Sequence, residues 1–337
     1  SEYLLLWHRW DAIHYTELAE LDRIANQISE TRLAFISRFP PLYPFLVRTA
    51  LDITQLSPNQ AAMLVSFGFL LAASIILFKL MRAEGFATTS SLWAVLCLNI
   101  FPTSYFATAG YSEPLFIALL IGYFYAVRIQ KNFALGAVLL GFALITRTIG
   151  VVALLAHALI FLKRFTARTT RRWEDAFWLV LPALACLVPL CVNLFLLKMP
   201  GYQADFEQGF YATTLIPFYT TAKSCAELIS QPQLFFDERF MFTLGWPALF
   251  VLVLTPLYLI HAKRLSWEYN AFSLAYIGGL SFVTWPLGVP RYWFAAVPLF
   301  MSLSLFRSIF LKSLLSAFFV AGLLYFSLVF TSGHFAF

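Results

Sequence analysis

Charged side chains are scarce in this chain of 337 residues, of which 12% are Asp, Glu, Lys or Arg and 61% are hydrophobic. A soluble globular domain usually carries about 25% charged residues. The composition therefore excludes a soluble enzyme or a soluble binding module. Together with a mean hydropathy of +0.77, it predicts an all-α polytopic membrane protein.

Cysteine is also rare, with four residues in the chain. Cys97, Cys186 and Cys191 lie inside apolar runs, and only Cys225 falls in a predicted loop. This spacing excludes the disulfide framework of a small secreted protein, and we interpret the four residues as packing residues. We see no signal peptide, because no charged segment followed by an apolar core precedes the first motif.

The sequence lacks two common signatures of substrate and cofactor binding. No closely spaced His, Asp and Glu residues suit a divalent cation, and no glycine-rich phosphate loop occurs. We therefore predict that the protein needs no metal and no cofactor, and we disfavour a nucleotide-sugar donor. The predicted outer loops also lack Asn-X-Ser/Thr sites, which favours a prokaryotic plasma membrane.

Long apolar runs fill the chain from residue 62 onward. A hydrocarbon core about 30 Å thick needs ~20 apolar residues per helix. On this basis we predict ten spans, near residues 62–81, 91–108, 113–128, 133–146, 149–162, 176–197, 242–261, 269–286, 292–309 and 313–331. The fourth and fifth are short and meet at Thr146–Gly150, so we interpret them as a helical pair that stops short of the far interface.

Basic residues beside the spans predict the orientation, because cytoplasmic loops carry an excess of Lys and Arg. One side holds thirteen Lys and Arg against four Asp and Glu, and we assign it to the cytoplasm. Residues 1–60 and the loop 198–240 then lie outside. A cytoplasmic chain start would need one further span before Ser1. The basic excess is thus topological, and the run 163–172 indicates a cytoplasmic anchoring loop rather than a nucleic-acid site.

The segment Trp7–Tyr15 places a carboxylate, two imidazoles and a guanidinium among aromatic rings. Apolar residues over 12–30 follow a helical spacing with charges between them, which predicts an amphipathic helix, lying on the membrane surface or packed on the protein. Asp11 precedes this helix. Its carboxylate is either a partly desolvated proton acceptor with a raised pKa or a helix cap.

Four short motifs follow one another along the chain. They are Trp10-Asp11-Ala12-Ile13-His14-Tyr15, Pro41-Leu42-Tyr43-Pro44, Tyr111-Ser112-Glu113-Pro114-Leu115-Phe116 and Thr146-Arg147-Thr148-Ile149-Gly150. In this order the chain resembles the PIG-V-type mannosyltransferase family of the GT-C superfamily of membrane glycosyltransferases. The motifs cover residues 7–151, and the remainder is similar by hydropathy and by Pro290-Arg291-Tyr292.

Two positions depart from the family pattern. Phe39-Pro40 stands where members usually have Phe-Phe before Pro-Leu-Tyr-Pro, and Ile149 stands where they have Asn. For that reason we do not carry over the GPI-anchor acceptor that eukaryotic members use.

The resemblance implies one GT-C-like transmembrane domain over residues 1–337, with the amphipathic helix in the first outer loop. It implies a polyprenyl- or dolichyl-phosphate sugar donor, a lipid or glycan acceptor, and transfer of mannose or a related hexose on the extracytoplasmic face with inversion. By position, Asp11 is the general base.

The phosphate that leaves gains negative charge in the transition state, so a fixed cation near it is needed. Arg147 is the first candidate and Arg291 the second, while His14 is a third group that could hold the phosphate. For each of the three, a nonfunctional interpretation also stays open. Each arginine would be an interfacial residue that extends toward the membrane surface, and His14 would be an interfacial histidine.

The remaining candidate side chains are assigned to substrate binding, and they are Trp10, Tyr43, Tyr111, Glu113 and Tyr292. Glu113 precedes Pro114 at the start of a span, so its alternative role is to favour a helix N-terminus. The aromatic loop 198–240 either forms a partial lid over the acceptor or packs against lipid, and we favour packing.

Two other functions stay open at this point. A transporter or lipid flippase would use Arg147 and Glu113 as an ion or head-group path, but the spans show no internal repeat. A noncatalytic membrane scaffold is the third hypothesis. In every case the expected partners include membrane lipids and exclude nucleic acid.

Overall fold

The computed structural model describes residues 2–24, 26–167, 174–197, 216–282 and 286–334. Over these residues the chain is helical and has no strand, which confirms the all-α class. The chain divides into two compact units, one of Ser1–Phe86 with Ser104–Ala204 and the other of Ala87–Thr103 with Asp205–Phe337. A single domain over the whole chain stays a prediction.

The first part of the chain forms helices α1 to α12. They are α1 (Glu2–Leu5), α2 (Asp11–Ala19), α3 (Leu21–Ile24), α4 (Glu30–Ile36), α5 (Leu42–Thr54), α6 (Pro58–Ala83), α7 (Thr88–Asn99), α8 (Glu113–Phe124), α9 (Phe133–Leu144), α10 (Ala153–Ala167), α11 (Glu174–Ala185) and α12 (Leu187–Cys191). Short 3-10 or π segments lie at Ser104–Ala107, Tyr125–Ile129, Thr148–Val152 and Val192–Leu197.

The later described residues form seven further α-helices and three shorter segments of other helix types. The α-helices are Tyr219–Ser230, Glu238–Phe240, Trp246–Ala262, Trp267–Ser281, Val289–Phe294, Val297–Leu303 and Ile309–Thr331. The other segments are Pro232–Phe236, Met241–Gly245 and Pro286–Gly288.

The predicted count of ten spans is not confirmed. Among the described residues, four helices are long and apolar enough to cross a membrane, and a fifth candidate is a pair bent by 44°. These are Pro58–Ala83, Thr148–Thr166, Glu238–Ala262 and Ile309–Thr331, with the bent pair Ala176–Ala185 and Leu187–Leu194.

Much of the difference between the ten predicted spans and the four or five candidate spans arises because several helices end early. The predicted spans 91–108, 113–128 and 133–146 overlap α7, α8 and α9, each of 12 residues. At 1.5 Å per residue, 12 residues cover about 18 Å. Even with the π turn that continues it to Ile129, α8 covers only about 25 Å, short of a ~30 Å hydrocarbon core. Pro102, the π turn at Tyr125–Ile129 and the break at Arg147 follow their ends.

The predicted amphipathic helix over residues 12–30 is also shorter than expected. Helix α2 ends at Ala19, α3 covers Leu21–Ile24, and α4 begins only at Glu30, where Ser29 caps it by accepting the Arg32 N–H. Ser29 offers this chain segment a local hydrogen bond that starts a new helix. Residues 11–36 are therefore a set of short helices within the first unit.

In the first unit, α6 packs along α8, α8 along α9, and α9 along α11, while α2 and α5 pack on α6. Buried residues of α2, α5 and α6 share one apolar cluster that includes Tyr15, Tyr43 and Ala62. Gly110 approaches this cluster with a φ of +75°, and a Cβ there would lie 3.0 Å from the Cβ of Ala62. A glycine is therefore required just before the Tyr111-Ser112-Glu113 motif.

The core of the second unit is aromatic. The ring of Phe101 lies 5.3 to 6.0 Å from four other phenylalanine rings, those of Phe250, Phe294, Phe300 and Phe319. The hydroxyl of Thr103 donates to the carbonyl of Pro290 at 3.2 Å. These contacts hold the Pro290-Arg291-Tyr292 motif in a packed helix.

Candidate active site

Arg147 lies in an extended break between α9 and the 3-10 segment Thr148–Val152, with φ −150° and ψ 130°. Its Nη1 donates to Glu113 Oε1 at 2.6 Å and to Ser112 Oγ at 3.1 Å. The side chains of Arg147 and Glu113 are only 9% and 1% exposed. A guanidinium held this way does not extend to a membrane surface, so the geometry argues against that alternative.

Glu113 has the helix N-terminal position considered for it and also pairs with Arg147, while its role in substrate binding stays a prediction. It is the first residue of α8, with Pro114 next in the helix, where a carboxylate interacts favourably with the helix dipole. It is also the ion-pair partner of Arg147. A buried pair of this kind needs good geometry and further hydrogen bonds to offset the loss of hydration. Ser112 supplies one of those bonds.

Ser112 connects Arg147 to helix α2. The hydroxyl of Tyr15, on α2, lies 2.8 Å from Ser112 Oγ, and both residues are buried. Tyr15 is four residues after Asp11, so the two side chains share one face of α2. A continuous path of hydrogen bonds thus runs from the helix that carries Asp11 to the guanidinium of Arg147.

Asp11 is half-buried and is the first residue of α2, whereas the N-cap is Trp10, which makes no side-chain capping bond. The interpretation of Asp11 as the cap is therefore wrong, although its carboxylate still lies at the favourable end of the helix dipole. Trp10 has a φ of +52° and a ψ of −122°. Such backbone strain costs about 1–3 kcal/mol and is concentrated at functional sites.

Tyr111 holds the turn that leads into Asp11. Its hydroxyl donates to the carbonyl of Arg9 at 3.1 Å, and that carbonyl also accepts the N–H of Ala12. Tyr111 is only 1% exposed. This geometry favours a role in positioning the strained turn rather than direct contact with substrate.

Tyr43 is fully buried, with its hydroxyl 2.9 Å from the carbonyl of Ala62 and 2.6 Å from Ser66 Oγ. Ser66 in turn donates to the carbonyl of Tyr111 at 2.7 Å. Burial raises the pKa of Tyr43 well above its ordinary value, so the side chain stays a neutral phenol. Direct substrate binding by Tyr43 stays a prediction.

His14 lies on α2 beside Asp11, at a spacing of three residues. Its Nδ1 is 2.8 Å from Arg32 Nη2, and its ring packs edge-on against Phe35. Burial lowers the pKa of His14, an effect that Arg32 strengthens and that the Asp11 and Glu17 carboxylates oppose. His14 is therefore a neutral imidazole near pH 7.

Arg291 and Tyr292 belong to the second unit, in the helix Val289–Phe294. Both are half-buried, and the Tyr292 carbonyl accepts the hydroxyl of Tyr276 at 3.1 Å. A role for Arg291 in phosphate binding and for Tyr292 in substrate binding stays a prediction. Within the described ranges, no three His, Cys, Asp or Glu side chains form a metal-binding group.

The loop 198–240, for which a partial lid and packing were both considered and packing was favoured, falls partly on 198–215, which lie outside the described residues. The remainder forms the helix Tyr219–Ser230 and two short helical segments. The N-terminal site in turn includes side chains that motif analysis did not single out for chemistry, namely Tyr15, Ser112, Ser66 and Arg32. Tyr15 and Ser112 are 97 positions apart. The only sequence signal for them is that each lies within one of the four motifs.

The fold and this site define a class of protein: a helical membrane protein with a buried arginine–glutamate pair that hydrogen bonds link to helix α2. The family model described as Mannosyltransferase (PIG-V) matches residues 1–210, which is more than half of the chain. The chain belongs to the PIG-V mannosyltransferase family. This match contains Asp11, Glu113 and Arg147 but not Arg291.

Two solved structures are similar to this chain at low identity. ArnT from Cupriavidus metallidurans in the apo state has 13% identity and a TM-score of 0.49, over 91% of this chain and 58% of that one. The Archaeoglobus fulgidus oligosaccharyltransferase tethered with an acceptor peptide has 12% identity and a TM-score of 0.41, over 87% of this chain and 46% of that one. The chain thus spans about half the length of each. Comparison with curated proteins gives no significant match.

Proposed function

We propose that this chain is a membrane mannosyltransferase. It transfers mannose or a related hexose from a polyprenyl- or dolichyl-phosphate donor to a hydroxyl group of a lipid or glycan acceptor, on the extracytoplasmic face. Family membership over residues 1–210 supports a membrane glycosyltransferase. The observation that carries the assignment of the site is the hydrogen-bond path from α2 through Tyr15 and Ser112 to Arg147.

In the proposed reaction, the Asp11 carboxylate takes the proton of the acceptor hydroxyl. The acceptor oxygen then forms a bond to the anomeric carbon as the bond from that carbon to the phosphate oxygen breaks. The sugar is transferred with inversion, and the lipid phosphate leaves with one more negative charge than it carried in the donor. A positioned base of this kind typically contributes 10²–10⁴-fold to the rate.

Arg147 is proposed to stabilise the charge that grows on the leaving phosphate. A guanidinium stays protonated in proteins and can bind two phosphate oxygens at once. A cation that is already oriented before the reaction does not need to reorganise during it, so its full interaction stabilises the transition state. Glu113 and Ser112 fix its orientation. The proposed chemistry uses no metal ion, so a chelator should leave the transfer rate unchanged.

Reconstitution in liposomes tests this proposal. Wild-type protein, Asp11→Asn and a control, Asp22→Asn, are incubated with labelled polyprenyl-phosphate mannose and candidate lipid or glycan acceptors. Asp22 is the matched control because it lies in the same outer segment and its side chain is 63% exposed. We expect transfer by wild type and Asp22→Asn and a large loss in Asp11→Asn.

Two outcomes would overturn the proposal. Equal transfer by Asp11→Asn and wild type would remove Asp11 as the base. No cleavage of the donor by wild type, together with movement of a solute or a lipid across the bilayer, would favour the transporter or flippase instead.

A further inference from the structure

The ring of His14 is enclosed by residues of α4 and the chain that follows it. Arg32 Nη2 lies 2.8 Å from His14 Nδ1, and the rings of Phe35 and Phe39 lie 5.0 and 5.1 Å away. The His14 side chain is 14% exposed. Its Nδ1 edge is therefore fixed by a single polar contact with Arg32.

The chemistry of this contact determines where the histidine proton lies. An arginine side chain has only N–H donors and no acceptor, so a contact of 2.8 Å requires His14 Nδ1 to accept. Glu17 Oε2 is 3.9 Å from the same nitrogen, too far for a hydrogen bond. A neutral imidazole whose Nδ1 accepts carries its proton on Nε2.

Arg32 is itself held in place. Glu17 Oε2 accepts from Arg32 Nε at 3.0 Å, and it forms an ion pair with Arg32 Nη2 at 2.7 Å. Both contacts go to one carboxylate oxygen, and together they hold the guanidinium beside Glu17. Glu17 on α2 thus holds Arg32 on α4, and Arg32 contacts His14 on α2. Arg32 thereby fixes the orientation of the imidazole ring, as partners outside the reacting groups commonly do for functional histidines.

We infer that Arg32 is a positioning residue that fixes His14 as the neutral Nε2–H tautomer, so that this N–H is the one donor the imidazole presents to an anionic oxygen beside Asp11. The role rests on the proposed function, since the oxygen belongs either to the Asp11 carboxylate or to the donor phosphate. His14 and Asp11 are three residues apart on α2, which places them on one side of the helix.

The charged groups around the ring agree with a neutral imidazole. Asp11 and Glu17 face it from α2 and Arg32 from α4, and burial lowers the pKa of His14 below its ordinary value of 6.5. Since Arg32 lowers this pKa and Glu17 raises it, Arg32→Gln should move the titration of His14 upward and Glu17→Gln should move it downward.

Nitrogen NMR of protein with ¹⁵N-labelled histidine tests the tautomer without any sugar transfer. The His14 signals are identified by their loss in His14→Gln. We expect protonation at Nε2 only at pH 7 in wild type and in Arg48→Gln, a matched control whose guanidinium binds Asp52 instead. In Arg32→Gln we expect a mixture of tautomers. A proton on Nδ1 in wild type, or no change in Arg32→Gln, would overturn the inference.

Sugar transfer provides the second measurement. Glutamine places its side-chain N–H near the position of Nε2, whereas asparagine places its N–H near that of Nδ1. We therefore expect His14→Gln to keep activity within about threefold of wild type. His14→Asn should lose about tenfold, the contribution of one hydrogen bond to a charged group. A higher KM in His14→Asn identifies the donor phosphate as the acceptor, and a lower kcat with a shifted pH profile identifies Asp11.

Equal losses in the two His14 variants would contradict the donor role of Nε2–H. If wild type transfers no sugar while the NMR result holds, the proposed function fails and the assigned tautomer stands.

Discussion

Two groups of arginines and carboxylates in the first unit contain the same chemical groups in different surroundings. Arg147 and Glu113 are 9% and 1% exposed. Arg48 binds Asp22 and Asp52 with exposures of 28%, 63% and 50%. Surface pairs contribute a median of about 0–1 kcal/mol, whereas removing one partner of a buried pair costs about 3–5 kcal/mol.

The comparison teaches that burial, and not residue type, distinguishes a site from a surface contact in this protein. The exposed group joins α5 to α3 and is screened by salt. The buried group keeps a cation oriented where solvent does not compete. A protein gains little stability from a buried pair compared with apolar residues, so its presence between two motifs is better explained by the chemistry proposed for Arg147.

The largest expected effect follows from breaking the buried pair. Arg147→Met leaves the Glu113 carboxylate without its cation, so we expect the free energy of unfolding to fall by about 3–5 kcal/mol and transfer to be lost. Denaturation in detergent micelles measures the first effect and the liposome assay measures the second. Arg48→Met, the exposed counterpart, should lower the free energy of unfolding by about 1 kcal/mol or less. Equal losses in the two variants would contradict a larger contribution from the buried pair.

Replacing both partners separates stability from chemistry. Arg147→Met with Glu113→Leu removes both charges and fills the space with apolar atoms, a change that is often neutral for stability. We expect recovery of most of the unfolding free energy lost in Arg147→Met, without recovery of donor binding. A double variant that is stable and also binds labelled donor as wild type does would show that the pair is only structural.

A smaller effect is expected at Tyr111. Tyr111→Phe removes the hydroxyl that donates to the Arg9 carbonyl, worth about 1 kcal/mol, and relaxes the turn before Asp11. We expect about a fivefold loss of kcat with little change in KM. Tyr258→Phe is the control, since its buried hydroxyl donates to Asn270 in the second unit; a similar loss of kcat there would contradict a specific role for Tyr111.

The smallest effect concerns salt. Raising the ionic strength from 0.1 M to 1 M shortens the Debye length from about 10 Å to about 3 Å. The stability difference between wild type and Arg48→Met should then shrink toward zero, while the difference between wild type and Arg147→Met should persist. Parallel unfolding series at the two salt concentrations measure this, and a salt-sensitive difference for Arg147→Met would place that pair in solvent.

The sequence was sufficient for the membrane class and for part of the site. Arg147 and Glu113 stood out because charges interrupt apolar runs only at a cost, and the predicted break at Thr146–Gly150 contains the extended Arg147. Hydropathy was less informative about helix ends, because apolar residues such as Phe101 and Phe106 lie on both sides of Pro102, and Ala126, Val127 and Ile129 continue the apolar pattern through the π turn at Tyr125–Ile129.

The contacts that join the site could not be predicted from spacing. Tyr15 meets Ser112 across 97 positions, and Arg32 meets His14 only because the predicted helix over residues 12–30 is interrupted before α4. Asp11 looked like a helix cap from its place before a periodic pattern, but the strained turn at Trp10 puts it one position inside the helix. Tertiary packing decided each of these features.

The most direct test of the proposed site is single-turnover transfer by Asp11→Asn with donor binding measured on the same sample. A half-buried carboxylate that acts only as the base should leave the affinity for labelled polyprenyl-phosphate mannose within about twofold of wild type, while the transfer rate falls by about 10²–10⁴-fold. Asp22→Asn should match wild type in both quantities. An Asp11→Asn variant that transfers sugar at the wild-type rate would contradict the account.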